Sequence, residues 1–322
     1  MKLTELYRDL RSELSSIEKE LEHTVQADHP DLQEASLHLL KAGGKRIRPV
    51  FVLLSGQFGQ YEPDRIKKVA VALELIHMAS LVHDDVIDES ELRRGRKTIK
   101  SKWDNRVAMY TGDYIFSRAL ELISTIEKPE LHKVLSEAIV EMCLGEIEQI
   151  RELFDWNLNL RHYLRRVKRK TALLIAVSCR LGSIASGADG QISKKLYLFG
   201  YYVGMSYQIT DDVLDFVGSE KQLGKPAGSD LRNGNVTLPA LYALRDEGRR
   251  KDITAYLRDR NHSDREWRDV LDLVLHSGGI EFSRQLSTRY LNKALNVLDS
   301  LPDMKAKRSL YEIAGYIGNR KF

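Results

Sequence analysis

Two long stretches without proline constrain the fold of this chain most. Only seven of the 322 residues are proline, and their positions leave residues 64–128 and 130–225 uninterrupted. Apolar side chains recur in both stretches mostly at intervals of three and four residues, which is typical of helices that bury one face. Alternating patterns bounded by hairpin signals, which would indicate strands, are nearly absent. The sequence therefore predicts an all-α fold.

The chain also lacks an obvious division. No linker rich in Gly, Ser or Pro separates two apolar regions, and a chain of this length makes one or two domains. We therefore predict one large helical domain over residues 1–322.

Composition excludes several classes of protein. Hydrophobic residues make up 43% and charged residues 30%, as in a soluble globular chain, and no apolar run approaches a membrane span. The net charge of +4 is mild and not gathered in blocks, which argues against nucleic-acid binding. Glu5, Asp9 and Glu13 interrupt the segment where a secretion signal would be apolar, so we expect a cytoplasmic protein. Cys143 and Cys179 lack metal-ligand spacing and are predicted to be two buried free thiols.

The first helix carries a heptad-like apolar seam, which consists of Leu3, Tyr7, Leu10, Leu14, Ile17 and Leu21. Such a seam could dock a partner subunit. The seam is short for a coiled coil, however, so packing of this helix on its own domain is the favoured interpretation.

A nearly repeated pentapeptide indicates the chemistry. Residues 84–88 read DDVID and residues 211–215 read DDVLD, each after an apolar helical run. Asp84 and Asp88 share one helix face, with Asp85 about 100° round the axis. Carboxylates crowded at the end of a buried helix are costly unless a hard cation compensates them, and Mg²⁺ binds one or two carboxylates while sharing its other positions with phosphate oxygens. Two such clusters facing each other could clamp a diphosphate. Neither copy has the spacing of an EF-hand.

Basic residues that could bind phosphates lie elsewhere in the chain. Residues 43–49 read GGKRIRP, with three basic side chains just before a predicted helix, which indicates a phosphate pocket. Arg93 and Arg94 follow the first acidic motif, and further candidates, Lys170 with Thr171 and Lys225, lie in the second half of the chain. Most positive charges of the run 161–170 are expected to face water. Lys170 is the strong candidate for a phosphate ligand in this run.

Two histidines lie near the first acidic motif. His77 lies seven residues before Asp84 on the same helix stripe, where it could contact a ligand or be a core residue. We expect His83 to be structural.

Together these motifs resemble the trans-isoprenyl diphosphate synthases, and the likeness covers nearly the whole chain. It rests on GGKRIRP (43–49), HMASLVHDDVID (77–88), LRRG (92–95), GDY (112–114), KTALL (170–174), YQITDDVLDF (207–216), LGKPAGSDL (223–231) and YIGNRKF (316–322).

The resemblance implies a helical bundle around a central cavity, in which Mg²⁺ grips an allylic diphosphate between the acidic motifs, beside isopentenyl diphosphate. The implied metal ligands are Asp84, Asp88 and Asp211, with Asp85, Asp212 and Asp215 supporting through water. The residues implied for the allylic diphosphate are Arg93, Lys170, Thr171, Gln208 and Lys225. Those implied for isopentenyl diphosphate are Lys45, Arg48, His77 and Arg94.

The resemblance also suggests the product and the partners. Ala79 and Ser80 precede Asp84 on the helix that would wall the product tunnel, and small residues there predict a long-chain product. We expect heptaprenyl diphosphate (C35), made from farnesyl diphosphate for menaquinone synthesis. Long-chain enzymes of this type work as two unlike subunits, so we expect a small non-catalytic partner; a homodimer is the alternative.

The sequence departs from the family at two positions. Lys97 stands where many members have proline, and Asn235 stands where many have a lysine that could contact the diphosphate. The allylic pocket is therefore expected to have one cation fewer than usual.

Three other functions fit parts of the sequence. A helical phosphohydrolase could use His83 and Asp84 but predicts no second acidic cluster. A class I terpene cyclase normally has Asn, Ser or Thr with Glu in its second motif, where this chain has three aspartates. A non-catalytic subunit could have lost the acidic or basic motifs, which this chain retains.

Overall fold

The computed structural model describes residues 7–218, 226–258 and 264–318, and within them the all-α prediction is confirmed. These residues form sixteen α-helices, one π-helix and one hairpin of two-residue strands. Pro30, Pro63 and Pro129 are the first residues of three of the helices, where a missing N–H costs no hydrogen bond.

The first part of the chain forms seven α-helices and the hairpin. These are α1 (Arg11–Thr24), α2 (Pro30–Lys41), α3 (Ile47–Gly56), α4 (Pro63–Ile87), β1 (Leu92–Arg93), β2 (Arg96–Lys97), α5 (Ile99–Lys102), α6 (Asn105–Ser124) and α7 (Pro129–Glu152).

The second part forms the π-helix and nine further α-helices. These are α8 (Leu160–Val167), the π-helix (Lys168–Ala172), α9 (Leu173–Ala185), α10 (Gly190–Val217), α11 (Ser229–Arg232), α12 (Leu238–Ala243), α13 (Glu247–Arg258), α14 (Asp264–Leu275), α15 (Gly279–Asp299) and α16 (Lys305–Gly318).

The described residues divide into two compact units. The first unit draws on the described residues up to 136 and on 174–197 and 301–312, and the second on 137–173, on the described residues between 198 and 300, and on 313–318. The prediction of a single domain over the whole chain stays a prediction.

The first unit is built around α4. This helix packs against α1, α3 and α6, and every residue from Val69 to Ile76 is at most 3% exposed. A helix that is buried on all sides near its middle leaves only its ends for chemistry. The first acidic motif lies at its C-terminal end.

The second unit contains two apolar clusters. One gathers around Phe216, Leu231 and Trp267, and the other contains Tyr163, Met205 and Ile209. The second acidic motif lies near the end of α10, the helix that supplies Phe216, Met205 and Ile209. Both clusters therefore help to position this motif.

The first helix packs on its own unit, as the favoured interpretation predicted. Leu10, Ile17 and Leu21 are at most 5% exposed, and Leu3 lies outside the described residues. An apolar stripe is instead exposed on α7, where Val140, Leu144, Ile147 and Ile150 are 44–57% exposed.

The thiol prediction was half wrong. Both cysteines are free, but only Cys179 is buried, because Cys143 lies on the exposed side of α7. Among the described residues, every helix is too short or too polar to span a lipid bilayer.

Candidate active site

The first acidic motif ends α4 with three carboxylates in different surroundings. Asp84 is partly exposed in the last turn, and Asp88 is exposed at the C-cap, where its N–H donates to the Asp84 carbonyl at 2.8 Å. Asp85 is only 3% exposed. Two of the three carboxylates are thus accessible to a ligand.

Asp85 is held by Arg93 of the hairpin. Its Oδ1 accepts hydrogen bonds from Arg93 Nε at 2.8 Å and Nη2 at 2.7 Å. Burial raises the pKa of Asp85, and the Arg93 guanidinium opposes that shift. The ion pair holds Arg93 beside the first acidic motif. The family resemblance predicted Arg93 as a ligand of the allylic diphosphate.

Three of the predicted isopentenyl diphosphate residues, Arg48, His77 and Arg94, lie close enough to interact electrostatically. A Cβ at Gly44 would lie 2.6 Å from Nη1 of Arg94, so the glycine lets that guanidinium approach the backbone. Burial, followed by the charges of Arg48, Arg94, Arg93 and Arg46, holds the pKa of His77 well below its usual range. These surroundings disfavour the protonated form of His77, whose role the sequence had left open.

Arg46 corrects one detail of the GGKRIRP prediction. Its guanidinium is 7% exposed and forms ion pairs with Glu18 at 2.5 Å and Glu74 at 3.0 Å. These pairs satisfy the buried Arg46, which lies in the left-handed region with a φ of 47°. Of the three basic side chains in the motif, Arg46 is structural, which leaves Lys45 and Arg48 as the phosphate candidates.

The second acidic motif lies inside the last turns of α10. Asp211 is partly exposed, whereas Asp212 and Asp215 are 4% and 3% exposed. One carboxylate of this motif is therefore accessible, against two in the first.

Asp212 is bound by neighbours in the second unit. The Tyr163 hydroxyl donates to its Oδ2 at 2.6 Å, and Gln208 Nε2 donates to its Oδ1 at 2.8 Å. Burial raises the pKa of Asp212 to about 7, although both hydrogen bonds oppose that shift. Burial and the nearby Asp212 hold the pKa of Tyr163 well above its usual range, so this hydroxyl stays a donor.

Asp215 binds residues 228–230. Its carbonyl accepts from the Gly228 N–H at 2.7 Å, and its carboxylate accepts from the Ser229 hydroxyl at 3.1 Å and the Asp230 N–H at 3.3 Å. These bonds hold the start of α11 against the second acidic motif.

Lys170 and Thr171 lie in the π-helix, a distortion that is frequent at functional sites. Lys170 Nζ donates to Gln149 at 2.9 Å, and the Thr171 hydroxyl donates to Gln208 Oε1 at 2.6 Å. A Cβ at Gly204 would lie 2.5 Å from Cα of Ala172, so this glycine lets α10 approach the π-helix. The predicted residues Thr171, Gln208 and Asp212 are thereby brought together.

The expectation for the run 161–170 has one clear exception. Arg161 and Arg165 are exposed, and Lys168, Arg169 and Lys170 are partly exposed. Arg166 is buried and donates to the Val236 carbonyl, and Arg169 pairs with glutamates of α7. Tyr163 and Arg166 were missed because they lie in a run that looks like a solvated basic face.

Ala79, Ser80 and His83, which precede the first acidic motif on α4, are buried or contact other protein groups. Ala79 is 1% exposed, and the Ser80 hydroxyl donates to the His77 carbonyl at 2.8 Å. His83 Nε2 lies 3.2 Å from Asp113 on α6, beside Gly112. His83 therefore has the structural position that the sequence predicted, and the histidine and aspartate dyad of a phosphohydrolase is disfavoured.

The donors in both motifs suit a hard divalent cation because they are all carboxylate oxygens. In residues 7–218, 226–258 and 264–318, no three His, Cys, Asp or Glu side chains form a ready metal cage. Mg²⁺ seldom uses such a cage, since it keeps several waters and shares substrate oxygens. The accessible Asp84 and Asp88 fit that mode of binding.

A family model described as polyprenyl synthetase matches residues 29–274. The chain belongs to the polyprenyl synthetase family. The matched range includes both acidic motifs, both groups of predicted diphosphate residues and the whole of the π-helix.

Individual polyprenyl synthetases resemble the chain over its whole length. Heptaprenyl diphosphate synthase component 2 of Geobacillus stearothermophilus is 58% identical, with complete coverage of both chains. The crystal structure of heptaprenyl diphosphate synthase from Staphylococcus aureus has a TM-score of 0.90 at 43% identity, covering 97% of this chain and 98% of that one.

One structural neighbour contains a metal and a diphosphate. The polyprenyl synthase of Caulobacter crescentus, crystallised with calcium and isoprenyl diphosphate, has a TM-score of 0.92 at 31% identity, covering 98% and 97% of the two chains. Polyprenyl synthetases are metal-dependent enzymes, and this neighbour is an example with a divalent cation.

The two residues that differ from the family pattern, Lys97 and Asn235, are both among the described residues. Lys97 is exposed in β2, and the Asn235 N–H donates to the Asp230 carbonyl at 2.8 Å. The predicted diphosphate ligand Lys225 lies outside the described residues, as do residues 223–224 and 319–322 of the motifs.

Proposed function

We propose that this chain is the catalytic subunit of a two-component heptaprenyl diphosphate synthase. It adds isopentenyl diphosphate repeatedly to an allylic diphosphate, farnesyl diphosphate, and makes all-trans heptaprenyl diphosphate for the menaquinone side chain. The identity of 58% to a component 2 relative over the full length supports this assignment.

One structural observation carries the proposal for the site. Asp84, Asp88 and Asp211 are the partly or fully exposed carboxylates of the two motifs, whereas Asp85, Asp212 and Asp215 are buried. The first three have the access that metal ligands need. The other three accept hydrogen bonds from protein donors, as supporting residues should.

We assign Mg²⁺ to Asp84, Asp88 and Asp211. Bound Mg²⁺ would offset the negative charge of the diphosphate and so make it a better leaving group. The protein contributes the carboxylates and keeps the buried aspartates from competing for the ion.

Two sets of side chains bind the two diphosphates in this scheme. Arg93, Lys170, Thr171, Gln208 and Lys225 hold the allylic diphosphate. Lys45, Arg48, Arg94 and His77 hold isopentenyl diphosphate. Because His77 is neutral, it contributes hydrogen bonds, and the arginines around it supply the charge.

The chemistry needs no protein nucleophile. The allylic C–O bond ionises as the cationic side chains stabilise the departing pyrophosphate. The double bond of isopentenyl diphosphate attacks the carbocation, forming the new C–C bond, and a proton leaves the adjacent carbon, with the released pyrophosphate as the base. Aliphatic side chains of the helices exclude water from the cation.

Small residues on α4 leave room for a long product. Ala79 and Ser80 lie about one turn before Asp84 on the wall that we propose for the product tunnel. A bulky aromatic residue at either position would block elongation. We place the enzyme in the cytoplasm, as one domain around a central cavity.

We also propose that a small non-catalytic subunit completes the enzyme. The name component 2 supports an unlike partner, although pairing of like chains is the alternative. The exposed apolar stripe on α7 supports association with a protein, because large apolar patches are seldom left in water.

A product-length assay tests the proposal. The purified chain receives Mg²⁺, farnesyl diphosphate and labelled isopentenyl diphosphate, with and without the small subunit. We expect C35 product only with the partner, and none from Asp84→Ala. Asp64→Ala is the matched control, because Asp64 is an exposed carboxylate at the other end of α4.

Each other outcome has a distinct meaning. Long-chain product from the chain alone would keep the reaction and refute the need for a partner. No condensation under either condition would refute the synthase function.

A further inference from the structure

A continuous chain of hydrogen bonds connects three elements of the second unit. It runs from Thr171 of the π-helix to Gln208 and Asp212 of α10, and ends at Tyr163 of α8. The three bonds measure 2.6, 2.8 and 2.6 Å. Neither the sequence motifs nor the family assignment gives Tyr163 a role.

The chemistry of the donors and acceptors fixes the order of these bonds. Asp212 Oδ1 accepts from the NH₂ group of Gln208, and Asp212 Oδ2 accepts from the hydroxyl of Tyr163. The carbonyl of Gln208 then points the other way and accepts from Thr171. Turning the Gln208 amide over would place its oxygen against Asp212 Oδ1 and break that bond, whereas the Thr171 hydroxyl could still accept from the NH₂ group, so the orientation of Gln208 depends on Asp212.

Tyr163 is held rigidly at the end of this series of hydrogen bonds. Its side chain is 1% exposed and packs in the cluster with Val167, Ala172 and Met205. A tyrosine ring held on all sides can direct its hydroxyl at one point only, and that point is Oδ2 of Asp212.

We propose that Tyr163 is a positioning residue that acts through Asp212 and Gln208 on the allylic diphosphate site. It holds Asp212 in the rotamer that orients Gln208, so that the second N–H of Gln208, beside Thr171, is available to the diphosphate. This inference rests on the proposed function, which places Thr171 and Gln208 at that substrate.

Tyr163→Phe is the direct test because it removes one oxygen and keeps the ring. The affinity for inorganic pyrophosphate with Mg²⁺ is measured by calorimetry, together with KM for both substrates. We expect pyrophosphate affinity to fall about tenfold and KM for farnesyl diphosphate to rise about as much, the usual effect of losing a hydrogen bond to a charged group. KM for isopentenyl diphosphate should change less than about twofold on the same reasoning.

Tyr290→Phe is the matched control. Tyr290 packs against the same apolar cluster, but its hydroxyl forms its hydrogen bond with Tyr201. It loses the same oxygen, so we expect wild-type affinities. An equal loss in both variants would mean that Tyr163 is merely structural and would overturn the inference.

A second variant traces the effect through Asp212. In an Asp212→Asn background the buried charge is gone, so adding Tyr163→Phe should weaken pyrophosphate binding no further. An additional loss as large as that in the wild-type background would overturn the proposed connection. This comparison also serves if Tyr163→Phe alone folds poorly, because the double variant has no buried charge that lacks a donor.

The result also separates this inference from the proposed function. If the wild-type enzyme binds pyrophosphate and makes product while Tyr163→Phe behaves identically, only the inference fails. If the wild-type enzyme with its partner neither binds pyrophosphate nor condenses the substrates, the proposed function itself fails.

Discussion

The two acidic motifs differ at one of five residues, Ile87 against Leu214, yet their last aspartates lie in opposite surroundings. Their first aspartates are both partly exposed, and their second aspartates are both buried and hydrogen-bonded. Asp88, in contrast, is exposed, whereas Asp215 is 3% exposed. The physical cause is the path of the chain, because α4 ends at Ile87, while α10 continues to Val217 and is followed by the segment that Asp215 binds.

This difference explains why the proposed ligands are unequally divided. The first motif offers two accessible carboxylates and the second offers one. The buried second aspartates are also held differently, Asp85 by the cation of Arg93 and Asp212 by the neutral donors Tyr163 and Gln208. A repeated sequence motif therefore does not imply a repeated site.

The largest expected effect is on catalysis. Asp84→Asn keeps the size of the side chain but removes the charge of an accessible carboxylate. We expect kcat/KM to fall about a thousandfold, since metal binding to a transition state is worth several kcal/mol. Steady-state kinetics measures this effect, and thermal unfolding should change little. Activity within about tenfold of wild type would contradict a ligand role.

The variants Asp215→Ala and Asp88→Ala test the difference in burial between the last aspartates of the two motifs. Asp215→Ala removes the acceptor for Ser229 and the Asp230 N–H, so the free energy of unfolding should drop by about 2 kcal/mol. Hydrogen exchange should accelerate in residues 228–232. Asp88→Ala, at an exposed C-cap, should lower stability by less than about 0.5 kcal/mol while reducing activity. Equal stability losses in a denaturant titration would contradict the comparison.

The cationic surroundings of the first motif predict a pH effect at His77. The pKa of His77 is well below 6.5 in the folded protein, so below pH 6.5 the unfolded chain takes up a proton that the folded chain resists. Stability is therefore lost as the pH falls from 6.5 towards the folded pKa. His77→Gln should reduce that loss by about 1 to 2 kcal/mol at pH 5.

Denaturant titrations of wild type and His77→Gln at pH 7 and pH 5 measure this difference. An identical pH dependence in the two proteins would show that His77 is not shielded from protonation. His38→Gln is the control, because His38 Nε2 donates to the carbonyl of the exposed Lys97 and lies outside the motif.

The smallest effect concerns a single hydrogen bond. Ser229→Ala removes the hydroxyl that donates to Asp215 Oδ1 at 3.1 Å but leaves the Asp230 N–H bond. We expect a loss of about 0.5 to 1 kcal/mol in unfolding free energy, smaller than for Asp215→Ala. A loss as large as that of Asp215→Ala would mean that the Ser229 hydrogen bond accounts for the whole stabilising effect of the Asp215 carboxylate.

Sequence reasoning succeeded where the signal is periodic or local. Helical periodicity and the placement of prolines predicted the all-α fold, and prolines begin three of the helices. The repeated aspartates and the other motifs indicated the family, which the family model over residues 29–274 confirms. The seam of the first helix was also read correctly as packing on its own unit, because a short seam stabilises a helix mainly by burial.

Sequence reasoning failed where neighbours distant along the chain decide the environment. Arg46 looks like a phosphate ligand until Glu18 and Glu74 are brought to its guanidinium. Arg166 looks exposed until the Val236 carbonyl reaches it. Cys143 shares its apolar neighbourhood in sequence with buried residues, but its side of α7 is exposed.

The sequence by itself determined the helical class, the family and the residue types of the two acidic motifs, because periodicity, spacing and charge are local properties of the chain. Only the tertiary structure decided which aspartates are accessible and which are anchored, which arginines are structural, and that Tyr163 holds Asp212. Burial and hydrogen bonding depend on residues that are far apart in sequence, so they arise only when the helices pack.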